Sequence, residues 1–326
     1  MGSSRDGNVP LLALVGATAS GKTEASLDVA RSLSAEIVYA DSAAMYRGMD
    51  VATTKPSPEQ LGSVRHHMVD VVVPPATTSV QQYQLLANRA LEGIRSRGSR
   101  ALVVAGSGLY YRALVDRFRF PRTDPEIRTM LQTEAEVVGA HALHRRLRAT
   151  DPESAARISP DNARRIVRAL EVAAATGVTL SSQYEEWKRY PAHHVIAAGI
   201  DLPAHVLQRR IEARVHEILP RILEETERLV AEGHRSFLSS CPAIGYREAI
   251  ACLEGRASAE ETGRAIVRRH KHLARRQLAW FRRDPRIQWF RAEEEGGAGI
   301  VDELVAYFEG NGSATRAAGR RVSVEV

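Results

Sequence analysis

Cysteine is nearly absent from this chain, aromatic residues are sparse, and no long apolar run occurs. Among 326 residues the only thiols are Cys241 and Cys252. Two cysteines at that spacing supply neither a disulfide framework nor a zinc-ligand cluster, and they predict an intracellular, cytoplasmic setting. No segment approaches the roughly 18 continuous apolar residues of a membrane span. The opening MGSSRDGNVP has no apolar signal region, so neither secretion nor a membrane partner is expected. What remains is ordinary: 44% hydrophobic residues, enough to bury the core of one large domain or two.

Basic residues are in modest excess, with 45 Lys+Arg against 39 Asp+Glu and a net charge of +6. Their distribution is uneven. Seven arginines fall between Arg145 and Arg168 against Asp151, Glu153 and Asp161, and nine Lys/Arg lie between Arg264 and Arg286 against Asp284 alone. One such run is commonly a solvated helix face; two in one chain set a polyanionic partner beside that reading. Asn311 to Val326 is rich in Gly, Ser, Ala and Arg without periodicity, and reads as a disordered tail.

The sharpest motif is Gly16-Ala17-Thr18-Ala19-Ser20-Gly21-Lys22-Thr23, which follows the apolar run Leu11 to Val15 and precedes a helical pattern. The G-x-x-x-x-G-K-T spacing turns successive backbone N–H groups toward one anion. It adds the charge of Lys22 and leaves the Thr23 hydroxyl for Mg2+. A diphosphate is therefore the expected ligand. Further apolar runs at Ile37 to Ala40 and Ala101 to Ala105 also end in polar or Gly-rich turns followed by helical patterns. This rhythm predicts an α/β fold, a parallel sheet flanked by helices. Val69 to Val73 reads as a fourth strand and Val195 to Ile200 as a fifth. Ligands of such sheets sit beyond the carboxyl ends of the strands, where Gly16, Asp41 and Gly106 fall.

Asp41 closes the second apolar run, the strand expected beside the first, which sets its carboxylate across a cleft from Lys22 as the leading catalytic base. A turn cap or an outer Mg2+ contact is its blander role. Asp50, in a turn-like stretch, reads as structural. The run at Ala101 to Ala105 leads into Gly106-Ser107-Gly108 rather than the acid a nucleotide motor places there. Ser107 is a candidate donor to a phosphate oxygen. The segment from about Arg122 to Trp187 has no strand run and reads as helices punctuated by Pro152, Pro160 and Gly177. The boundaries read from sequence are a discontinuous core of 1–120 and 196–310, a helical insertion of 121–195, and the tail of 311–326.

The blocks GATASGKT, DSAAMYRGMDVATTKP, HHMVDV, AGSGLYYRAL, SPDNARRIVRALEV, AIGYREA and ARRQLAWFRRD stand in the order and spacing of the tRNA dimethylallyltransferases. The chain resembles that family from about Leu11 to Trp289. The resemblance implies a P-loop NTPase-like core with an all-helical insertion that grips the anticodon stem-loop of tRNA. It implies transfer of a dimethylallyl group from dimethylallyl diphosphate to N6 of the adenosine just 3′ of the anticodon, with Mg2+ as cofactor. It places Lys22, Asp41 and Ser107 in catalysis, and the whole loop from Gly16 to Thr23 with Arg210 and Arg214 around the diphosphate. For the RNA backbone, the candidates from the two basic runs are Arg164, Arg165 and Arg168, with Lys271, Arg275 and Arg276. No oligomer is specified, and a monomer is taken.

Several bland readings stand beside these. Glu171 lies one turn beyond Arg168 and is placed to pair with it. The stripe Ile266, His270, Leu273, Gln277 and Trp280 has helical spacing, so Trp280 is expected in the core rather than as a stacking platform. His66-His67 reads as packing or capping. The chain also departs from the family pattern: Ala44 replaces a glutamine after Asp41-Ser42, His270 stands at a common threonine, and Pro220 is expected to kink or start a helix. Prenylation of a free adenine nucleotide, a P-loop small-molecule kinase and a non-catalytic RNA-binding module are the competing functions.

Overall fold

The structure is a computed structural model that describes residues 10–191 and 195–310; the segment read as a disordered tail lies outside the described residues. The chain divides into two compact units, residues 118–191 and the remainder. The larger unit is built on six parallel strands. These are β1 (Leu11–Gly16), β2 (Ala35–Ala40), β3 (His66–His67), β4 (Arg100–Ala105), β5 (Val195–Asp201) and β6 (Ile287–Arg291), in the order β3-β2-β4-β1-β5-β6. Every residue of β2 is buried and β1 is buried beyond Leu11, as parallel strands covered on both faces require. The first group of helices is α1 (Lys22–Ser32), α2 (Pro58–Ser63), α3 (Val80–Ser96) and α4 (Gly108–Val115).

Two strand expectations are corrected. Val69–Val73 is not a strand: the edge strand is His66–His67, and Val72 makes only an isolated bridge to Tyr46. Met68 and Asp70 adopt left-handed φ of 67° and 56°, which ends extended pairing there. Nor does β2 lie beside β1, because β4 pairs with both and separates them. Consecutive strands are neighbours only about two-thirds of the time. The register still sets Val15 and Ala40 each opposite Ala105, so Gly16, Asp41 and Gly106 leave the sheet at one level. The strand β6 escaped the sequence reading because five residues directly after a long helical pattern give little alternation to detect.

The other helices of this unit are α10 (Ala204–Ala231), α11 (Arg235–Ser240), α12 (Tyr246–Leu253), α13 (Ala259–Phe281) and α14 (Val301–Gly310), the last preceded by a 3-10 turn at Gly296–Ile300. Pro220 neither starts nor ends a helix: α10 runs through it. Met49, Ile222, Tyr246 and Ile266 form a second core between α10, α12, α13 and the long loop after β2. Trp280 is not in a core; it is 38% exposed, because the buried face of α13 turns through Gln277 to Phe281. No helix among the described residues is long and apolar enough to cross a membrane.

The smaller unit holds α5 (Pro125–Val138), α6 (Ala140–Thr150), α7 (Pro152–Arg157), α8 (Ala163–Thr176) and α9 (Leu180–Trp187). Leu131, Leu143, Leu147, Ile166 and Leu170 form its core. Pro152 takes the first turn of α7, where its missing N–H costs nothing, and Asp151 caps that helix by accepting from Ser154 N at 3.0 Å.

Candidate active site

The loop between β1 and α1 closes on itself. Lys22 Nζ donates to Ala17 O at 2.6 Å. Arg210, from α10, donates through Nε to Ala19 O at 2.9 Å and through Nη1 to Glu294 O at 2.7 Å. Gly297 N donates to Ser20 O at 2.9 Å. Gly21 is required twice over: its φ is +83°, and a Cβ there would stand 2.7 Å from Gly297 N. The Ser20 hydroxyl is buried without a hydrogen-bond partner, an orphan donor inside an anion-shaped loop.

Burial lowers Lys22 from its ordinary 10.5 to about 8, Asp41 opposes the fall, and Arg214 adds to it. Burial likewise lowers Arg214, with Glu24 and Glu217 opposing. A narrow cleft beside the loop is lined by Thr18, Ala19, Ile211, Arg214, Val215, Ile218 and His270. Burial, then Arg214 and Arg269, pull His270 down to about 4, so it is neutral at physiological pH and Arg214 is the fixed charge of the cleft. Of the two arginines expected near the donor, Arg214 lines this cleft, whereas Arg210 engages loop carbonyls.

Asp41 stands at the carboxyl end of β2 and accepts from Ala43 N at 2.8 Å through Oδ1. Its Oδ2 occupies the space that a Cβ on Gly106 would need, 2.9 Å away. The two strand ends are thus packed carboxylate on glycine. Ser107 takes the N-cap position of α4 without capping it through its side chain, which leaves the hydroxyl for another acceptor. The structure adds Gln277, which accepts from Thr18 N at 2.8 Å and donates to Gly106 O at 2.7 Å. One buried amide ties the phosphate loop to the turn under Asp41. Its place in an amphipathic stripe hid it, since a glutamine at such a position reads as an interruption of the core.

The loop after Asp41 has little regular structure and is held by buried polar groups. Glu225 accepts from Asp50 N at 2.7 Å, Val51 N at 2.9 Å, Ala52 N at 3.3 Å and the Tyr246 hydroxyl at 2.6 Å. Lys55, its side chain 2% exposed, pairs with Asp50 at 2.7 Å and Asp70 at 2.5 Å. Asp50 is accordingly structural. Ala44 is buried in the main core. His66 Nδ1 meets Val64 O at 2.7 Å and His67 Nε2 meets Glu36 at 2.7 Å; both histidines serve the sheet edge.

The basic candidates differ in what they touch. Arg164 and Arg165 are exposed on α8. Arg168 is turned inward, to buried Glu171 at 3.1 Å and Pro121 O at 3.1 Å, as its spacing to Glu171 foretold. Lys271 pairs with Glu212 at 2.6 Å, and Arg275 and Arg276 are exposed. No group of three or more His, Cys, Asp or Glu among the described residues is placed to hold a metal. Thr23, the second residue of α1, offers a hard oxygen of the kind Mg2+ takes beside a diphosphate.

Comparison with known proteins gives the family of the chain. Residues 44–284 match the family model described as IPP transferase. The tRNA dimethylallyltransferase of Desulforudis audaxviator is 40% identical over 303 residues, 92% of this chain and 98% of that protein. The crystal structure of the tRNA isopentenylpyrophosphate transferase of Bacillus halodurans superposes with a TM-score of 0.65 at 32% identity, covering 93% of this chain and 98% of that one. A eukaryotic dimethylallyltransferase caught acting on tRNA shares the fold, with a TM-score of 0.72 at 21% identity over 88% of this chain and 74% of that one. This chain belongs to the IPP transferase family.

Proposed function

We propose that the protein transfers a dimethylallyl group from dimethylallyl diphosphate to the exocyclic N6 of the adenosine just 3′ of the anticodon in tRNA, releasing diphosphate. The observation behind this reading is one site in which a phosphate loop with a buried cation shares the carboxyl edge of the sheet with Asp41, one strand removed across β4, on a family background. The loop N–H groups, Lys22 and Arg214 hold the diphosphate. As the allylic C–O bond breaks they stabilise the negative charge that collects on the leaving group. Mg2+ held by Thr23 and the diphosphate would add charge neutralisation there. Ile211 and Val215, buried beside Arg214, keep that side of the donor site apolar and dry.

Adenine N6 is a weak nucleophile because its lone pair is delocalised into the ring. The Asp41 carboxylate accepts a hydrogen bond from the amine, aims it at the allylic carbon and takes its proton as the C–N bond forms. Ser107 donates toward the donor oxygens from the neighbouring turn. A base stacked in an RNA loop cannot reach such a cleft, so it must be extruded, while exposed arginines such as Arg164 and Arg165 hold the backbone.

The test is to incubate purified protein and Mg2+ with labelled dimethylallyl diphosphate and, in parallel, unmodified tRNA with adenosine 3′ of its anticodon, AMP or ADP. Label on the tRNA adenosine is expected. Label on free nucleotide alone would replace the proposed acceptor with a small molecule.

A further inference from the structure

His270 lines the cleft beside the phosphate loop, together with Thr18, Ala19 and Arg214, and the proposed reaction gives it no part. Gln277 lies two turns further along α13, a spacing that puts both side chains on one face of the helix. Gln277 accepts from Thr18 N at 2.8 Å. One face of α13 therefore meets the loop twice, once through a satisfied amide and once through this imidazole.

The imidazole is left unsatisfied. Its Nδ1 atom is buried without a hydrogen-bond partner, although the large majority of buried side-chain polar atoms in folded proteins have one. Ile211 and Val215, buried in the same cleft, have no polar side-chain atom to offer it. Burial and the nearby Arg214 and Arg269 keep the ring neutral, with Glu248 opposing, so it carries one N–H and one lone pair. Arg214 is a second open group: burial lowers it, and among the described residues no hydrogen bond or ion pair engages it. Its charge is felt by Lys22 on one side and by His270 on the other. Donors from the loop, α10 and α13 thus surround one space.

An open guanidinium and an open imidazole beside loop amides match a ligand whose oxygens only accept hydrogen bonds. We propose that His270 is a further donor-binding residue, its Nδ1–H donating to an oxygen of the diphosphate held by the loop, next to Arg214. The inference rests on the prenyl-transfer reading above and adds a residue to its donor site. A neutral ring contributes a directed bond without placing a second cation against Arg214, which like-charge repulsion would oppose. The ligand selects the tautomer with its proton on the nitrogen that faces it. In the dry surroundings set by Ile211 and Val215, that bond is electrostatically stronger than it would be in water.

The experiment titrates inorganic diphosphate and dimethylallyl diphosphate, each with Mg2+, into the full chain by calorimetry, for the wild type, His270→Leu and His270→Asn. The unfolding temperature of each ligand-free protein is measured alongside. His270→Leu is expected to weaken both ligands equally, by about tenfold or more, as loss of a hydrogen bond to a charged group does. His270→Asn, which keeps an N–H at the reach of Nδ1, is expected to stay within about threefold of the wild type. Because His270→Leu also removes an unsatisfied buried atom, the ligand-free variant is expected to melt about 2 °C higher than the wild type. Wild-type diphosphate affinity in His270→Leu overturns the proposal, as does a loss confined to dimethylallyl diphosphate, which would put the ring at the prenyl end. A His270→Leu protein that melts lower, with no recovery of affinity in His270→Asn, makes the ring structural and also overturns it. Wild-type protein that binds neither ligand sinks the functional reading itself, a result distinct from variants that bind as the wild type does.

Discussion

Lys22 titrates in a useful range, and its two linkages have opposite signs. Its folded value of about 8 lies below the ordinary 10.5, so between those values the unfolded chain holds the extra proton. The ligand-free protein therefore gains stability from this group as pH rises from about 8 to 10.5, which unfolding titrations across that window check. Diphosphate binding needs the charged ammonium, so it is at full strength below pH 8 and weakens by about tenfold per unit above it. Calorimetry of diphosphate binding at pH 7, 8 and 9 reads this directly, and a flat profile would remove Lys22 from the contact. For Asp41 the prediction concerns rate. Asp41→Ala is expected to lower the single-turnover rate by about 100-fold or more, with RNA affinity by filter binding nearly unmoved, because its hydrogen bond strengthens in the transition state. Equal damage to affinity and rate would contradict that role.

Elements place these residues, and two contacts between elements can be tested alone. A Cβ on Gly106 would stand 2.9 Å from Asp41 Oδ2, while the Gly106 backbone is not among those of positive φ. Gly106→Ala is therefore expected to fold normally and still lose about tenfold or more in single-turnover rate, through displacement of the carboxylate. A wild-type rate would show that Asp41 tolerates the shift. The loop after β2 depends on Glu225 of α10, which satisfies three backbone N–H groups and one hydroxyl. Glu225→Ala strands these donors and is expected to cost about 3 kcal/mol of stability in urea unfolding. The blocks around Asp50, Glu225 and Tyr246, far apart in the chain, are thus one assembly. A buried quartet does the same at the far end of α13, where Arg286 joins Asp116 at 2.6 Å and Asp284 at 2.7 Å, with Arg112 bonded to Asp116.

Over the whole molecule the question is which cations face RNA, and the answer depends on pairing more than on number. Arg164→Gln with Arg165→Gln is expected to flatten the salt dependence of RNA binding by about 1.4 to 1.8 units of slope; an unchanged slope would exclude that edge of α8. Sequence by itself determined the strand-to-helix phosphate loop, the βα rhythm, the helical segment between the core halves and the family, because each is written in local periodicity or in contiguous blocks. It also foretold the Arg168 to Glu171 pair, a contact three residues apart on one helix. Only the tertiary structure decided that β4 separates β2 from β1, that Trp280 reaches the surface, that Arg210 braces loop carbonyls, and that Gln277 links Thr18 to Gly106. Those outcomes depend on strand order and on which way a helix face turns, and partners 171 or 259 residues apart leave no trace in a local pattern.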